Sequence, residues 1–190
     1  YLPFCVEAWV WLDATPSFTD QVIVGQWQLE DEANSSWALM RTADPATFKF
    51  VWRDADTGAI QNMTYQAPVA ITTGQWHHVA VTRSGPTLRM YISDAGAQQS
   101  NLAIMANIGT IARSDKPLIV GNDLSQIMGF RGSIDDIRIT TGYARYVNLY
   151  YDTPNSSLGN DAKTTFLLNF DGTVGATSFS DNVGEVPSFV

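Results

Sequence analysis

The stretch Phe4-Cys5-Val6-Glu7-Ala8-Trp9-Val10-Trp11-Leu12 alternates without a break. Phe4, Val6, Ala8, Val10 and Leu12 are apolar, and Cys5, Glu7, Trp9 and Trp11 fall between them. Successive side chains of an extended chain leave opposite faces, so one face of this strand is a core face and the other is mixed. The same period recurs in Thr47–Arg53, where Phe48, Phe50 and Trp52 oppose Lys49, Val51 and Arg53. Further strands are expected over Val22–Leu29, Trp37–Arg41, Trp76–Thr82, Thr87–Ser93, Pro117–Gly121, Ser133–Thr140 and Thr165–Phe170. Fainter alternation runs through Ile60–Tyr65 and Leu102–Ile111. Turn-forming clusters separate them: Asp54–Gly58, Ser84-Gly85-Pro86, Asp94-Ala95-Gly96 and Gly121-Asn122-Asp123. Short strands with no sustained 3.6-residue period read as an all-β two-sheet sandwich. Only Thr141–Tyr146 reads as a helical turn. The expected core comprises Val6, Ala8, Val10, Phe48, Phe50, Val79, Val81, Ile134 and Leu168, with Trp27, Trp37, Trp52 and Trp76 as core or inter-sheet residues.

Composition narrows the function classes. The chain has 190 residues, one domain's worth, and only 16% of them are charged, which excludes a coiled coil or a disordered chain. Nineteen Asp and Glu against eleven Lys and Arg give a net charge of -8, which repels a phosphate backbone, so nucleic acid is not an expected partner. No apolar run reaches the ~18 residues of a membrane helix, so membrane insertion is not expected. The single Cys5 excludes an intrachain disulfide and any multi-cysteine zinc site. After Asp171 the chain turns Gly-, Ser-, Thr- and Asn-rich, so the domain is placed at 1–172 and a linker or C-terminal tail at 173–190.

Four ordered stretches carry a resemblance. Phe4-Cys-Val-Glu-Ala-Trp-Val10 resembles the opening F-x-(I/V)-E-x-W-V strand of laminin-G-like domains, a branch of the concanavalin A-like jelly rolls. Gly74-Gln-Trp-His-His-Val-Ala-Val-Thr-Arg83, followed by Leu88-Arg-Met-Tyr-Ile92, is similar to that family's W-H-H-V-A-V hairpin. Leu118-Ile-Val-Gly121 and Gly132-Ser-Ile-Asp-Asp-Ile-Arg-Ile139 complete the series, which spans Phe4 to Phe170. Ser93-Asp94-Ala95-Gly96 departs from the usual Asp-Gly turn by insertion. Arg138–Tyr146 and Thr164-Thr-Phe-Leu-Leu-Asn-Phe-Asp-Gly172 resemble modules of tailed-phage virion and bacterial surface proteins. In those modules an L-L-L-x-F-D-G strand commonly comes first, so the resemblance implies a piece of a longer chain or tandem array.

Catalysis finds no support in these residues. Glucanases of the same superfamily carry alternating carboxylates, E-x-D-x-E, on one strand face. Here Glu30-Asp31-Glu32 is contiguous in a turn-like stretch, and Asp135-Asp136 in a strand point to opposite faces. His77 and His78 diverge likewise, with one expected half-buried on backbone and the other in solvent. Asp136 and Arg138, two apart, are expected to share a face and pair. The resemblance implies a rim Ca²⁺ site, for which Asp54, Asp56 and Asp123 are the candidates; no other cofactor is expected. Asn122 and Asp123, with Trp9 and Trp11 on the mixed face, are the candidate ligand or interface residues.

The reading that follows is a non-enzymatic virion or surface structural module of the capsid-decoration or tail-fibre type. It would contact other protein subunits in an oligomeric assembly, at a virion surface or outside the cell, with host attachment as a further role. The alternative is a carbohydrate-binding, lectin-like module, with or without Ca²⁺, whose partners are glycans.

Overall fold

The computed structural model describes residues 2–13, 19–44, 47–66, 71–94, 101–174 and 176–183. The turn expected at Ala95-Gly96 lies outside these residues. Eleven strands run in chain order: β1 (Phe4–Leu12), β2 (Gln21–Gly25), β3 (Trp37–Arg41), β4 (Thr47–Arg53), β5 (Ile60–Gln66), β6 (Trp76–Ser84), β7 (Thr87–Asp94), β8 (Asn101–Met105), β9 (Ile119–Val120), β10 (Gly132–Thr141) and β11 (Thr164–Leu168). They form two sheets, ordered β11-β10-β1-β6-β7-β8 and β5-β4-β3-β2-β9. The fold is an all-β, antiparallel two-sheet jelly roll. Among the described residues the helical structure is one 3₁₀ turn, Leu29–Asn34, which holds the Glu30-Asp31-Glu32 run. Thr141–Tyr146 is not helical.

The chain divides into two compact units, one per sheet. The first draws on Tyr1–Trp11, Gln75–Leu102 and Ile134–Val190. Its alternation behaves as the sequence dictates: Val6 pairs with Val81 and Ala8 with Val79, all fully buried on one face. Two core expectations fail at the β10–β11 end, because Ile134 and Leu168 are only half-buried. The buried apolar residues there are Ile137, Ile139 and Leu167. Asp136 is the cause on β10: its φ of 49° is left-handed, which interrupts the alternation after Ile134. On the edge strand β11, the returning chain bonds the backbone of Leu167. The Leu167 N–H donates to Asp181 Oδ1 at 3.0 Å and the Asn182 N–H donates to the Leu167 carbonyl at 2.8 Å. Phe179 meets Phe170 with ring centroids 5.2 Å apart. Residues 176–183, within the stretch read as linker or tail, are thus tied to this strand.

The second unit comprises Leu12–Gly74 and Ala103–Ser133. Cross-strand pairs Trp37–Trp52 and Leu39–Phe50 stack one face, and Phe50 lies 5.9 Å from both Trp37 and Trp52. The other face gathers Val22, Trp27, Ala38, Met40, Val51 and Met128. All five β2 residues are buried, with a bulge between Val22 and Val24. Because Phe50 has no exposed surface, Phe50→Ala is expected to cost ~3–5 kcal/mol. A urea titration measures this; an unchanged midpoint would mean that the register assigned to β4 is wrong.

Candidate functional site

The mixed face of β1 is not a solvent face. Cys5 and Glu7 are fully buried, and Trp9 and Trp11 are half-buried. The cover is the segment 142–161, which belongs to the same unit and lies over this face. Tyr146 donates its hydroxyl to Glu7 Oε2 at 2.7 Å. Arg138 Nε donates to Glu7 Oε1 at 2.8 Å, and His78 Nε2 lies 3.1 Å from Oε2. The other ring nitrogen of His78 sits 3.3 Å from the Tyr151 hydroxyl. Arg145 adds a second guanidinium 3.6 Å from Glu7 and grips Asp161 with two bonds of 2.9 Å. Tyr91 donates to the Asn148 carbonyl and Arg138 Nη1 to that of Gly159. A carboxylate without exposure requires this company, because burial alone penalises its charge heavily.

Electrostatics follow from these contacts. Burial pushes the Glu7 carboxyl up, but the His78 and Arg138 contacts outweigh it and bring it down to about 2. Burial, reinforced by the Glu7 charge, pushes the Cys5 thiol up, so Cys5 is an unreactive neutral group. Both histidines are buried, which corrects the expectation of one solvent-facing ring; the covering segment closes over His78. Asp136 and Arg138 do not pair either. Arg138 turns to Glu7, while Asp136 Oδ2 accepts the Leu158 N–H at 3.1 Å and its other oxygen accepts the Asn169 amide.

Where the cover ends, a pocket of about 430 Å³ opens, lined by Trp9, Trp76, Asp135, Asp136, Asn155 and Ser157 among others. Register builds its aromatic wall. Trp9 pairs with His78 and Trp11 with Trp76 across β1–β6, so Trp9 and Trp76 are diagonal neighbours on one face. Trp9 meets His78 edge-on at 5.3 Å, and Trp11 meets Trp76 edge-on at 5.9 Å. Trp76, expected in the core, is half-buried and faces the pocket. Asp135 and Asp136, expected to diverge, line the same pocket because the left-handed backbone at Asp136 re-aims the pair. Burial raises the Asp135 carboxyl, and the charges of Asp136 and Asp171 add to the rise.

The remaining candidates belong to the second unit. Asp123 is buried, and its carboxylate accepts N–H bonds from Leu29, Ser125, Ile127 and Met128 at 2.8–3.2 Å. Burial pushes this carboxyl up, and the four donors outweigh it and hold it below the ordinary range. Asn122 Oδ1 accepts the Asp123 N–H at 2.9 Å. Asp54 Oδ1 closes its own turn, accepting from the Asp56 N–H and from the Thr57 N–H and hydroxyl. Asp56 is exposed. Among the described residues no group of three or more His, Cys, Asp or Glu is placed to hold a metal, and no helix is long and apolar enough to cross a membrane.

The geometry defines an all-β module with an aromatic pocket on one sheet face. The model of the concanavalin A-like lectin/glucanases superfamily matches residues 2–145, and the chain belongs to that superfamily. It is similar to the CBM40 of the Ruminococcus gnavus IT-sialidase, solved bound to alpha2,3 sialyllactose, at 14% identity and TM-score 0.55 over 73% of this chain and 75% of that one. It is also similar to the enzymatically active domain of bacteriophage CBA120 tailspike protein 2, at 12% identity and TM-score 0.52 over 73% of this chain and 22% of that one. The botulinum neurotoxin serotype G binding domain matches at 14% identity and TM-score 0.50, over 78% of this chain and 34% of that one. At these identities the likeness is one of fold. No curated protein sequence matches the chain.

Glu7 sets an acid limit. Its carboxyl is depressed in the fold, so its contribution is complete above the ordinary value of 4.5 and is lost as pH falls toward about 2. Urea unfolding of the wild type is therefore expected to weaken steeply below about pH 5. Glu7→Gln, less stable at neutral pH, should lose this part of the slope; parallel profiles would contradict the assignment.

Proposed function

We propose that the chain is a non-catalytic recognition module that binds glycan in the Trp9–Trp76 pocket. The pocket itself carries the reading: indole surface accepts the apolar face of a pyranose ring, while Asp135, Asn155 and Ser157 offer groups for its hydroxyls. The fold likeness to a carbohydrate-binding module solved with a sialylated sugar supports it. Glycoside hydrolysis needs two carboxyls free to act on opposite sides of the scissile bond. Asp136 is engaged by Leu158 and Asn169, which leaves Asp135 alone for that chemistry. The reading assigns no role to Ca²⁺, because Asp54 and Asp123 are already engaged by N–H groups.

A second observation favours display within a virion or comparable surface array. Tyr143, Val147, Leu149 and Tyr150 are all exposed on the covering segment, Tyr150 to 74%. Apolar residues gathered in this way suit contact with a neighbouring subunit. The fold likeness to a phage tailspike supports that setting.

Glycan-array screening of the purified chain, with and without Ca²⁺, tests the main reading. Binding to a defined set of sugars is expected, weakened about tenfold by Trp76→Ala or Trp9→Ala with the far-UV CD spectrum retained. Retention of no sugar, or binding indifferent to both substitutions, would overturn it.

A further inference from the structure

The charge of the pocket narrows the ligand further, resting on the glycan reading above. Two carboxylates, Asp135 and Asp136, stand beside two indoles, and none of the described lining residues is cationic. The charge of a third carboxylate, Asp171, is felt at Asp135. Among the described ion pairs, none neutralises any of the three. Arg138, on the same strand, is turned away to Glu7 and the Gly159 carbonyl. Asp136 is held to the backbone at Leu158, whereas the bond Asp135 accepts comes from the N–H of the adjacent residue. Asp135 is therefore the carboxylate available to a ligand.

Aromatic faces beside an unneutralised carboxylate attract a cation from two directions: the ring quadrupoles and the carboxylate act together on one ammonium group. The same field repels a ligand carboxylate. We infer that the Trp9–Trp76 pocket selects sugars with a free, protonated amine, of the glucosamine type, over their N-acetylated and acidic counterparts. The amine bonds Asp135 and lies against an indole, while the ring hydroxyls reach Asn155 and Ser157. The pocket would thereby differ in ligand from the sialyllactose-bound module that shares its fold.

Calorimetric titration of the 190-residue chain tests this at about pH 5.5, more than two units below the α-amino range, where the weakly basic amines of the oligomer are protonated. Three ligands are compared: a glucosamine oligomer, the N-acetylglucosamine oligomer of equal length, and sialyllactose. The amine oligomer is expected to bind about five- to tenfold more tightly than its acetylated twin, with sialyllactose the weakest. Asp135→Asn should bring the ratio of the two oligomers close to one. A general attraction of the acidic chain for a cation would survive that substitution, which removes one charge from a net of -8. Equal or tighter binding of the acetylated or sialylated sugar overturns the inference and leaves the glycan reading standing, as does a ratio that Asp135→Asn does not change. Failure of all three sugars, together with an empty array, overturns both.

Discussion

One carboxylate organises the face that carries the pocket. Glu7 sits at the middle of β1 with no exposed surface, and a charge in that position is tolerable only when cations and donors surround it. Two arginines, a histidine and a tyrosine do so, all distant from it in sequence: His78 on β6, Arg138 on β10, and Arg145 and Tyr146 on segment 142–161. Satisfying Glu7 therefore places segment 142–161 over the sheet. A buried ion pair of this kind adds little net stability compared with an apolar core, but removing one partner is costly. Its effect is to fix position rather than to deepen the energy well.

The pocket is a consequence of that placement. Its aromatic wall comes from register across β1 and β6, and its acidic wall from β10. The third wall, around Asn155 and Ser157, lies within the segment that Glu7, His78 and Asp136 hold down. Backbone strain contributes as well. Asp136 is not a glycine, and its left-handed φ of 49° is sustained because Leu158 and Asn169 bond its side chain. The same distortion brings Asp135 beside Trp9. Proposed ligand contact, at Asp135, and structural tie, at Asp136, are thus the two halves of one dipeptide.

Strands were the legible part of the sequence. Phe4–Leu12, Trp37–Arg41 and Thr47–Arg53 form at the residues their alternation names, since a period of two leaves little freedom when one face is apolar. The second face of β1 was not legible. Alternation distinguishes an apolar face from a mixed one but does not report that a distant loop will cover the mixed one. The signal that pointed to it was Glu7, a carboxylate flanked by apolar and aromatic residues at the centre of a strand. The sequence places Trp76 in the core and Trp9 on the mixed face on one ground, since strand position gives parity, not cover. At Asp135–Asp136, parity itself failed, because a residue with positive φ has no periodic signature. Asp54 and Asp123 show the converse error source. Oxygen-rich turns serve backbone N–H groups as readily as cations, and spacing does not separate the two uses.

The dependence of the covering segment on Glu7 is the central claim, and amide hydrogen exchange compares it directly between the wild type and Glu7→Gln. Exchange at Gly142, bonded to the Pro3 carbonyl, and at Leu158, bonded to Asp136, reports on the two ends of the segment. These amides are expected to lose protection in the variant by a larger factor than the amides of β6 and β7. Protection falling by one common factor throughout, or unchanged at Gly142 and Leu158, would contradict the account.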